Sequence, residues 1–332
     1  MTVPDSPPEL AGLGVACLAL SLAATPLAMR LARRVGLYDR PGALKLQEEP
    51  VPYLGGLGVA VAVALAVALG RPLLAVPLAL ALALGIADDA RGLPPLARLG
   101  GEVVIGALVA VAVPTRLPSV LGPLAEIAAV VVVVNGVNMI DGLDGLAGGA
   151  GAVSAVGFAI VLVGPGELVA VGLAAGLIGF LAYNRPPARV YLGDGGTYLV
   201  GAALAALLAL AWQPGLAWSR SVGALALLGY PVADASFAVA RRLLAHAPLT
   251  TGDRGHSYDR LVARGWPRAR ASGGCVALQG ALVVIGVVAS RLPLPAAAVL
   301  VAASAAALAA GAAAAGFLTP EPLAPGPPER PA

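Results

Sequence analysis

The stretch AVVVVVNGVNMIDGLDGLAGG, residues 129–149, decides how this chain folds. Five consecutive valines lead directly into two asparagines and two aspartates, and a glycine follows each aspartate. An apolar run of this kind predicts a helix that crosses a membrane and delivers polar groups to the membrane surface. These groups are Asn135, Asn138, Asp141 and Asp144, spaced three residues apart. The alternative is a capped turn, because Asn and Asp favour turns.

The composition predicts an integral membrane protein. Of the 332 residues, 59% are hydrophobic and 12% are charged, whereas soluble chains carry about 25% charged residues. Apolar runs of roughly the length that crosses a bilayer lie at residues 10–29, 54–70, 72–87, 99–114, 119–135, 146–163, 167–184, 196–212, 221–239, 270–290 and 294–318. We therefore expect an all-α polytopic bundle of about 10–11 transmembrane helices.

The basic residues predict how these helices are oriented. If the N-terminus lies outside, all but four of the 21 Lys and Arg residues fall in or beside inside loops. The four on the outside are Arg71, Arg116, Arg220 and Arg291. Because positive charge accumulates on the cytoplasmic side, we expect a multi-pass protein of the plasma membrane. Residues 1–318 form one membrane domain in this interpretation, and the Pro-rich residues 319–332 are expected to be disordered.

Most aspartates fall on the same predicted inner side as the basic residues, which predicts an active site at the cytoplasmic face. Other classes of site are excluded or disfavoured. The only histidines are His246 and His256, so a multi-histidine metal site is excluded. Cys17 and Cys275 lie in apolar runs and predict neither a disulfide framework nor a redox motif.

The third apolar run ends in LGIADDARGL, which places Asp88 and Asp89 side by side at a helix end. Carboxylates are disfavoured at a helix C-terminus, where the helix dipole is negative, and two adjacent carboxylates repel each other. A solvated helix end is the simple alternative. Acids at a membrane edge are usually functional, so we expect a cation or a proton transfer to compensate this pair.

Another acidic residue, Asp194, lies at the start of the eighth apolar run. In YLGDGGTYL, residues 191–199, Asp194 lies between glycines at a predicted helix N-terminus, a position that suits an anionic phosphate. Such an aspartate can also hold Mg²⁺, which is usually bound by one or two carboxylates together with substrate phosphates. A simple N-cap is the alternative for Asp194. The ring of Tyr191 could stack on a base, or it could lie in the aromatic belt at the membrane interface.

The longest inside loop, residues 240–269, is rich in arginine and contains Asp253, Arg254 and His256 within four residues. Arginine binds phosphate in a bidentate manner. For most arginines of this loop, cytoplasmic anchoring is the simpler explanation. Acids, a divalent cation and basic groups at one membrane face together fit diphosphate chemistry on a nucleotide-activated substrate, with a lipid as the other reactant.

These stretches resemble the polyisoprenyl-phosphate hexosamine-1-phosphate transferases. ADDARGL matches the paired aspartates of that family, NMIDGLDGL matches its Asn-x-x-Asp-Gly-Leu-Asp-Gly motif, and YNRPPARVYLGDGGT matches its Gly-Asp-x-Gly-Ser/Thr motif. The resemblance extends from GLYDRPGALKLQEEPVPYLGG to DRGHSYDRL, most of the chain. It implies the transfer of a sugar 1-phosphate from a UDP-sugar to a polyprenyl phosphate, with release of UMP, for cell-wall or surface-polysaccharide synthesis.

The resemblance also implies the roles of individual residues. The catalytic residues implied are Asp88, Asp89, Asp141, Asp144 and His256; the metal ligands are Asp194 and Asn138; and the substrate-binding residues are Lys45, Asn184 and Tyr191. The composition of the 240–269 loop adds Asp253 and Arg254 as substrate-binding candidates. The implied cofactor is Mg²⁺, with Mn²⁺ as an alternative. The implied partners are the UDP-sugar, the polyprenyl phosphate and the bilayer. A homodimer is left open, and no nucleic acid is expected.

The chain departs from the family pattern at several positions, and two other functions stay open. Gln47 replaces a histidine, Arg98 a lysine and Glu102 a glutamine, and His-Ser-Tyr-Asp replaces His-x-His-His. These changes bear on the sugar, for which N-acetylglucosamine or a related hexosamine is expected. The alternatives are an ion- or proton-coupled transporter, which needs acids near the middle of the membrane, and an intramembrane aspartyl protease, suggested by YLGDGG.

Overall fold

A computed structural model describes residues 6–39, 50–248 and 255–319 of the chain. The helices in these residues are α1 (Pro7–Val35), α2 (Gly55–Gly70), α3 (Ala75–Arg91), α4 (Pro95–Ala112), α5 (Leu121–Met139), α6 (Leu146–Val161), α7 (Pro165–Asn184), α8 (Gly193–Leu210), α9 (Trp218–Ala226), α10 (Gly229–Leu244), α11 (Ser257–Ala263), α12 (Arg268–Ala289) and α13 (Leu294–Ala314). A 3-10 turn, Pro72–Leu74, precedes α3. Strands β1 (Tyr38–Asp39) and β2 (Val51–Pro52) pair antiparallel.

The all-α polytopic prediction is confirmed, and each of the predicted apolar runs falls on helix. Eight helices of the described part are long and apolar enough to cross a membrane. Helices α2 and α6 are apolar but have only 16 residues each, slightly below the usual spanning length. The predicted span 221–239 is instead two helices, α9 and α10, which meet at 62°. Pro231 lies in the first turn of α10 and has no N–H to continue the helix of α9.

Helix α8 lies at the centre of the bundle. In its most apolar window 94% of the residues are buried, compared with 11% in α13 at the periphery. Small residues let the neighbouring helices approach closely, because a Cβ atom at Gly56 of α2 or at Gly85 of α3 would overlap the backbone of α8. Such close packing drives helix association where lipid replaces water. The N-terminus of α8 is thereby fixed between the ends of several helices.

The two ends of the bundle carry different polar groups. One end brings together the C-termini of α3 and α5 and the N-terminus of α8. At the other end Arg71 donates a hydrogen bond to Gln213 at 2.7 Å, and Arg116 donates to Ser221. Both arginines belong to the four that the charge distribution places outside. The end that bears the aspartates is therefore the one predicted to face the cytoplasm.

Candidate active site

Asp194 is held in the first turn of α8 by the last turn of α5. The amide nitrogen of Asn138 donates hydrogen bonds to Oδ1 of Asp194 at 2.7 Å and to Oγ1 of Thr197 at 3.0 Å. A donating amide nitrogen does not bind a cation, so in this arrangement Asn138 orients Asp194 through that atom. Asn138 of the motif at residues 129–149 therefore contacts Asp194 of the eighth apolar run, as the prediction of a shared site requires.

Asp89 occupies the N-terminus of α8 from a neighbouring helix. Its carboxylate accepts the backbone N–H of Asp194 at 3.0 Å and that of Gly195 at 3.1 Å. The sequence suggested that an anionic phosphate would bind the N–H groups at this helix N-terminus. For the N–H groups of Asp194 and Gly195 this interpretation was wrong, because both donate to the carboxylate of Asp89. Gly85, one turn earlier in α3, has no side chain and so allows this contact.

Asp88 faces a different set of partners, although it is adjacent in sequence. Its carboxylate accepts hydrogen bonds from the N–H of Leu93 at 2.8 Å, from the hydroxyl of Tyr198 at 2.9 Å and from Arg98 at 3.3 Å. The side chain is buried. These three donors satisfy the carboxylate oxygens and tie the end of α3 to α4 and α8, so the geometry gives Asp88 a structural environment.

Buried polar groups continue from Arg98 into the membrane. Glu102 lies one turn further along α4, is buried, and accepts a hydrogen bond from the amide nitrogen of Asn135 at 2.7 Å. In the sequence, Glu102 stood out only as a departure from the family pattern. Its contact with Asn135 of α5 could not be predicted from the sequence. Asn135 therefore contacts a neighbouring helix, whereas Asn138 reaches Asp194.

Asp141 and Asp144 lie in the turn between α5 and α6. Asp141 is half-buried, and desolvation together with the charges of Asp194, Asp89 and Asp144 raises its pKa well above the usual range. Its carboxylate accepts no hydrogen bond within the described part of the chain. Asp144 accepts the N–H of Ala188 at 2.9 Å and so holds the segment before α8. We call Asp89, Asp141, Asp144 and Asp194 the acid cluster.

The acid cluster fits a hard cation in the kind of its donors. Carboxylate oxygens are the ligands that Mg²⁺ prefers, and Mg²⁺ commonly uses only one or two of them, with waters and substrate phosphates completing its shell. Among the described residues, no group of three or more His, Cys, Asp or Glu side chains lies close enough together to hold a metal ion, so two carboxylates are the most that the cluster would supply. Asp141 and Asp194 are the members whose surroundings call for positive charge, because none of the described residues places a cation or a hydrogen-bond donor beside Asp141.

His256 lies at the start of α11, close to the turn that carries Asp141. Its Nδ1 is 2.6 Å from Oδ2 of Asp234 in α10. The ring of Tyr258 is parallel to the imidazole, with 5.6 Å between ring centroids, and its hydroxyl donates to the carbonyl of Met139 at 3.1 Å. The sequence analysis missed Asp234, although a single acid in an apolar helix is itself a signal of function.

The residues predicted to bind substrate are only partly described. Asn184 is buried, accepts the N–H of Gly145 at 3.0 Å and donates to the carbonyl of Val190 at 2.8 Å, so both ends of its amide are used within the protein. Tyr191 lies near the acid cluster: desolvation, and then the charges of Asp144 and Asp141, raise its pKa to about 12. The predicted residues that lie outside the described part are Lys45, Asp253 and Arg254.

The amino-acid sequence is similar to those of several known proteins. A family model described as glycosyl transferase family 4 matches residues 72–212, which contain the whole acid cluster. A decaprenyl-phosphate N-acetylglucosaminephosphotransferase of Mycobacterium leprae is 30% identical over 314 residues, 79% of each chain. A probable undecaprenyl-phosphate N-acetylglucosaminyl 1-phosphate transferase of Bacillus subtilis is 28% identical over 267 residues, 73% of this chain and 74% of that protein. A phospho-N-acetylmuramoyl-pentapeptide-transferase of Moorella thermoacetica is 50% identical over 52 residues, 15% of this chain and 16% of that protein.

Proposed function

The chain belongs to glycosyl transferase family 4, and from this premise we propose that it transfers a sugar 1-phosphate from a UDP-sugar to a polyprenyl phosphate. The products are a polyprenyl-diphosphate-sugar and UMP. N-acetylglucosamine is the sugar we expect, because the relatives from M. leprae and B. subtilis are described as acting with it. The lipid product would enter cell-wall or surface-polysaccharide synthesis.

The observation that carries the proposal is the convergence of the acid cluster at one end of the bundle. Asp89 contacts the backbone of Asp194, and the charges of Asp89, Asp144 and Asp194 all act on Asp141. A cluster of this kind at a membrane surface can meet a water-soluble nucleotide from one side and a lipid phosphate from the other. We place it on the cytoplasmic side because of the distribution of Lys and Arg.

Asp194 and Asp141 are the residues that we expect to hold Mg²⁺, or Mn²⁺ in its place, while Asn138 orients Asp194. A bound divalent cation neutralises diphosphate charge and improves UMP as a leaving group. Asp89 fixes the first turn of α8, and Asp144 fixes the segment that leads into it. Asp89 and Asp144 thus fix the start of α8, which carries Asp194.

The proposed reaction forms a bond between an oxygen of the lipid phosphate and the β-phosphorus of the UDP-sugar. The bond from that phosphorus to the oxygen that leaves with UMP is broken. A phosphate monoester has a second pKa near 6, so the attacking oxygen needs little help from a base. The alternative route uses an aspartate as nucleophile, for which Asp141 is the candidate. Exchange of labelled UMP into UDP-sugar without lipid would support that route, and its absence would support direct transfer.

The rival functions find less support in the geometry. A transporter places its ion-binding acids near the middle of the membrane, whereas the acid cluster lies at helix ends and in the turn after α5. An aspartyl protease needs two acids that face each other across a catalytic water. Asp194 instead has Asn138 and the carboxylate of Asp89 as its neighbours, and Asp89 is turned toward backbone N–H groups.

The proposal is tested by measuring UMP release from a panel of UDP-sugars with a polyprenyl phosphate and the purified protein in detergent. We expect Mg²⁺-dependent release with UDP-N-acetylglucosamine, and its loss in Asp194→Asn. Glu167→Gln is the matched control, because it removes a carboxylate from the opposite end of the bundle, in the first turn of α7. Absence of UMP with every donor would contradict the transferase, and full activity of folded Asp194→Asn would contradict the metal assignment.

A further inference from the structure

Asp234 is a buried acid that the proposed reaction does not itself require. Its side chain lies within α10 and is only 1% exposed. Oδ2 lies 2.6 Å from Nδ1 of His256, and Oδ1 accepts the backbone N–H of Ser257 at 2.8 Å. A carboxylate inside a membrane protein is costly unless it is paired. These two contacts join the start of α11 to α10 through a single side chain.

The pairing determines which nitrogen of His256 carries a proton. A carboxylate only accepts hydrogen bonds, so Nδ1 must be the protonated nitrogen. In the neutral ring, Nε2 then presents a lone pair, and it forms no hydrogen bond within the described residues. The parallel ring of Tyr258, anchored on the carbonyl of Met139, holds the imidazole beside the turn that follows α5.

We propose that Asp234 is a positioning residue for the transfer, acting through His256. It fixes the orientation and tautomer of His256, so that Nε2 carries the lone pair and can accept the remaining proton of the lipid phosphate as the phosphate oxygen attacks. Asp234 itself touches neither substrate. The kinetic part of this inference rests on the proposed function, whereas the tautomer can be measured without any activity.

Asp234→Asn separates the charge from the shape of this side chain. The N–H of Ser257 needs an acceptor, so the amide oxygen of the asparagine is expected to take the place of Oδ1. The amide nitrogen then faces Nδ1 of His256. Since that nitrogen only donates, Nδ1 must become the acceptor and the proton must move to Nε2. The substitution is nearly isosteric and is expected to reverse the tautomer.

The tautomer is read from ¹⁵N chemical shifts of histidine-labelled protein in detergent at about pH 9, where a free imidazole is neutral. The chain has only two histidines, so His246→Gln, which changes an exposed histidine, assigns both sets of signals. We expect Nδ1 protonated in the native protein and Nε2 protonated in Asp234→Asn. An Nε2-protonated His256 in the native protein, or an unchanged tautomer in the variant, would overturn the proposal.

Kinetics then test whether the tautomer matters. We expect Asp234→Asn to lower kcat about 10–100-fold with little change in the KM of the UDP-sugar. The double variant with His256→Gln should be no slower than His256→Gln alone, because the two residues act as a unit. Tyr230→Phe is the matched control: it removes the neighbouring contact of the Tyr230 hydroxyl with Ser257 at 3.0 Å but keeps the carboxylate.

The outcomes are distinguishable from failure of the proposed function. Multiplicative losses in the double variant, or an equal loss in Tyr230→Phe, would assign Asp234 a structural role only and overturn the inference. If native protein releases no UMP, the proposed function fails, while the histidine spectra still report whether Asp234 sets the tautomer. If Asp234→Asn does not fold, the native spectrum alone can refute the pairing.

Discussion

Asp89→Ala is expected to lower stability and activity together, because Asp89 caps α8 from a neighbouring helix. The variant loses two hydrogen bonds, from the N–H groups of Asp194 and Gly195 at 3.0 and 3.1 Å. A hydrogen bond to a charged group contributes about 1.5–3 kcal/mol, and the lower value suits a half-buried side chain. The free energy of unfolding should therefore fall by about 3 kcal/mol.

The loss of activity follows from the position of Asp194. Without the cap, the first turn of α8 is no longer held against α3, and a displacement of about 1 Å at a reacting centre can cost about 100-fold in rate. Asp89→Asn keeps one acceptor oxygen and is a comparable N-cap. We expect it to lose only about 1.5 kcal/mol and to retain an activity between those of the native protein and Asp89→Ala.

Chemical unfolding in detergent gives the stability of each variant, and UMP release gives its activity. Glu167→Gln again serves as the charge-matched control at the far end of the bundle. If Asp89→Ala unfolds with the native free energy, the capping role is wrong. If Asp89→Asn is as inactive as Asp89→Ala while its stability is intermediate, the charge of Asp89 takes part in the chemistry directly.

Three further perturbations probe the same site. Gly85→Ala places a methyl group against the first turn of α8. Because this overpacks the contact between the two helices, UMP release should fall about tenfold or more. Gly100→Ala is the control and should be neutral, because no atom lies within 4 Å of the added Cβ. Deleting residues 315–332 removes the carbonyls of Gly316 and Thr319, to which Arg260 donates at 2.6 and 2.7 Å. Because α11 is then held less firmly, kcat should fall severalfold. Deletion of residues 320–332 keeps both carbonyls and serves as the control. Chelation by EDTA should abolish UMP release, and added Mg²⁺ should restore it; activity that persists in EDTA would contradict the metal requirement.

The membrane helices could be predicted because length and hydropathy alone determine which segments cross a bilayer. The break between α9 and α10 could not be predicted in the same way, because hydropathy does not report the direction of a helix axis. Gly229 and Pro231 were visible in the sequence as helix breakers, but the apolar residues on both sides merge into one run. The angle of 62° follows from tertiary packing, which the sequence does not state.

The sequence predicted that the aspartates of the acid cluster lie at one membrane face. It did not predict which neighbour each carboxylate contacts. Asp88 and Asp89 are adjacent, so their side chains point about 100° apart around the helix. One meets Tyr198 and Arg98, and the other meets the backbone of α8. Which neighbour lies on which side depends on the packing of α3 against α8. Asp234 was missed because the apolar residues around it dominate the hydropathy of its helix.

The most direct test of the account follows the phosphorus atom. UDP-N-acetylglucosamine labelled at the β-phosphate is incubated with purified protein, Mg²⁺ and a polyprenyl phosphate, and the lipid and nucleotide products are separated. Transfer of a sugar 1-phosphate at the acid cluster predicts that the label moves into the lipid and that unlabelled UMP is released. Label that stays with the nucleotide as UDP while sugar reaches the lipid, or label that never leaves the donor, would contradict the account.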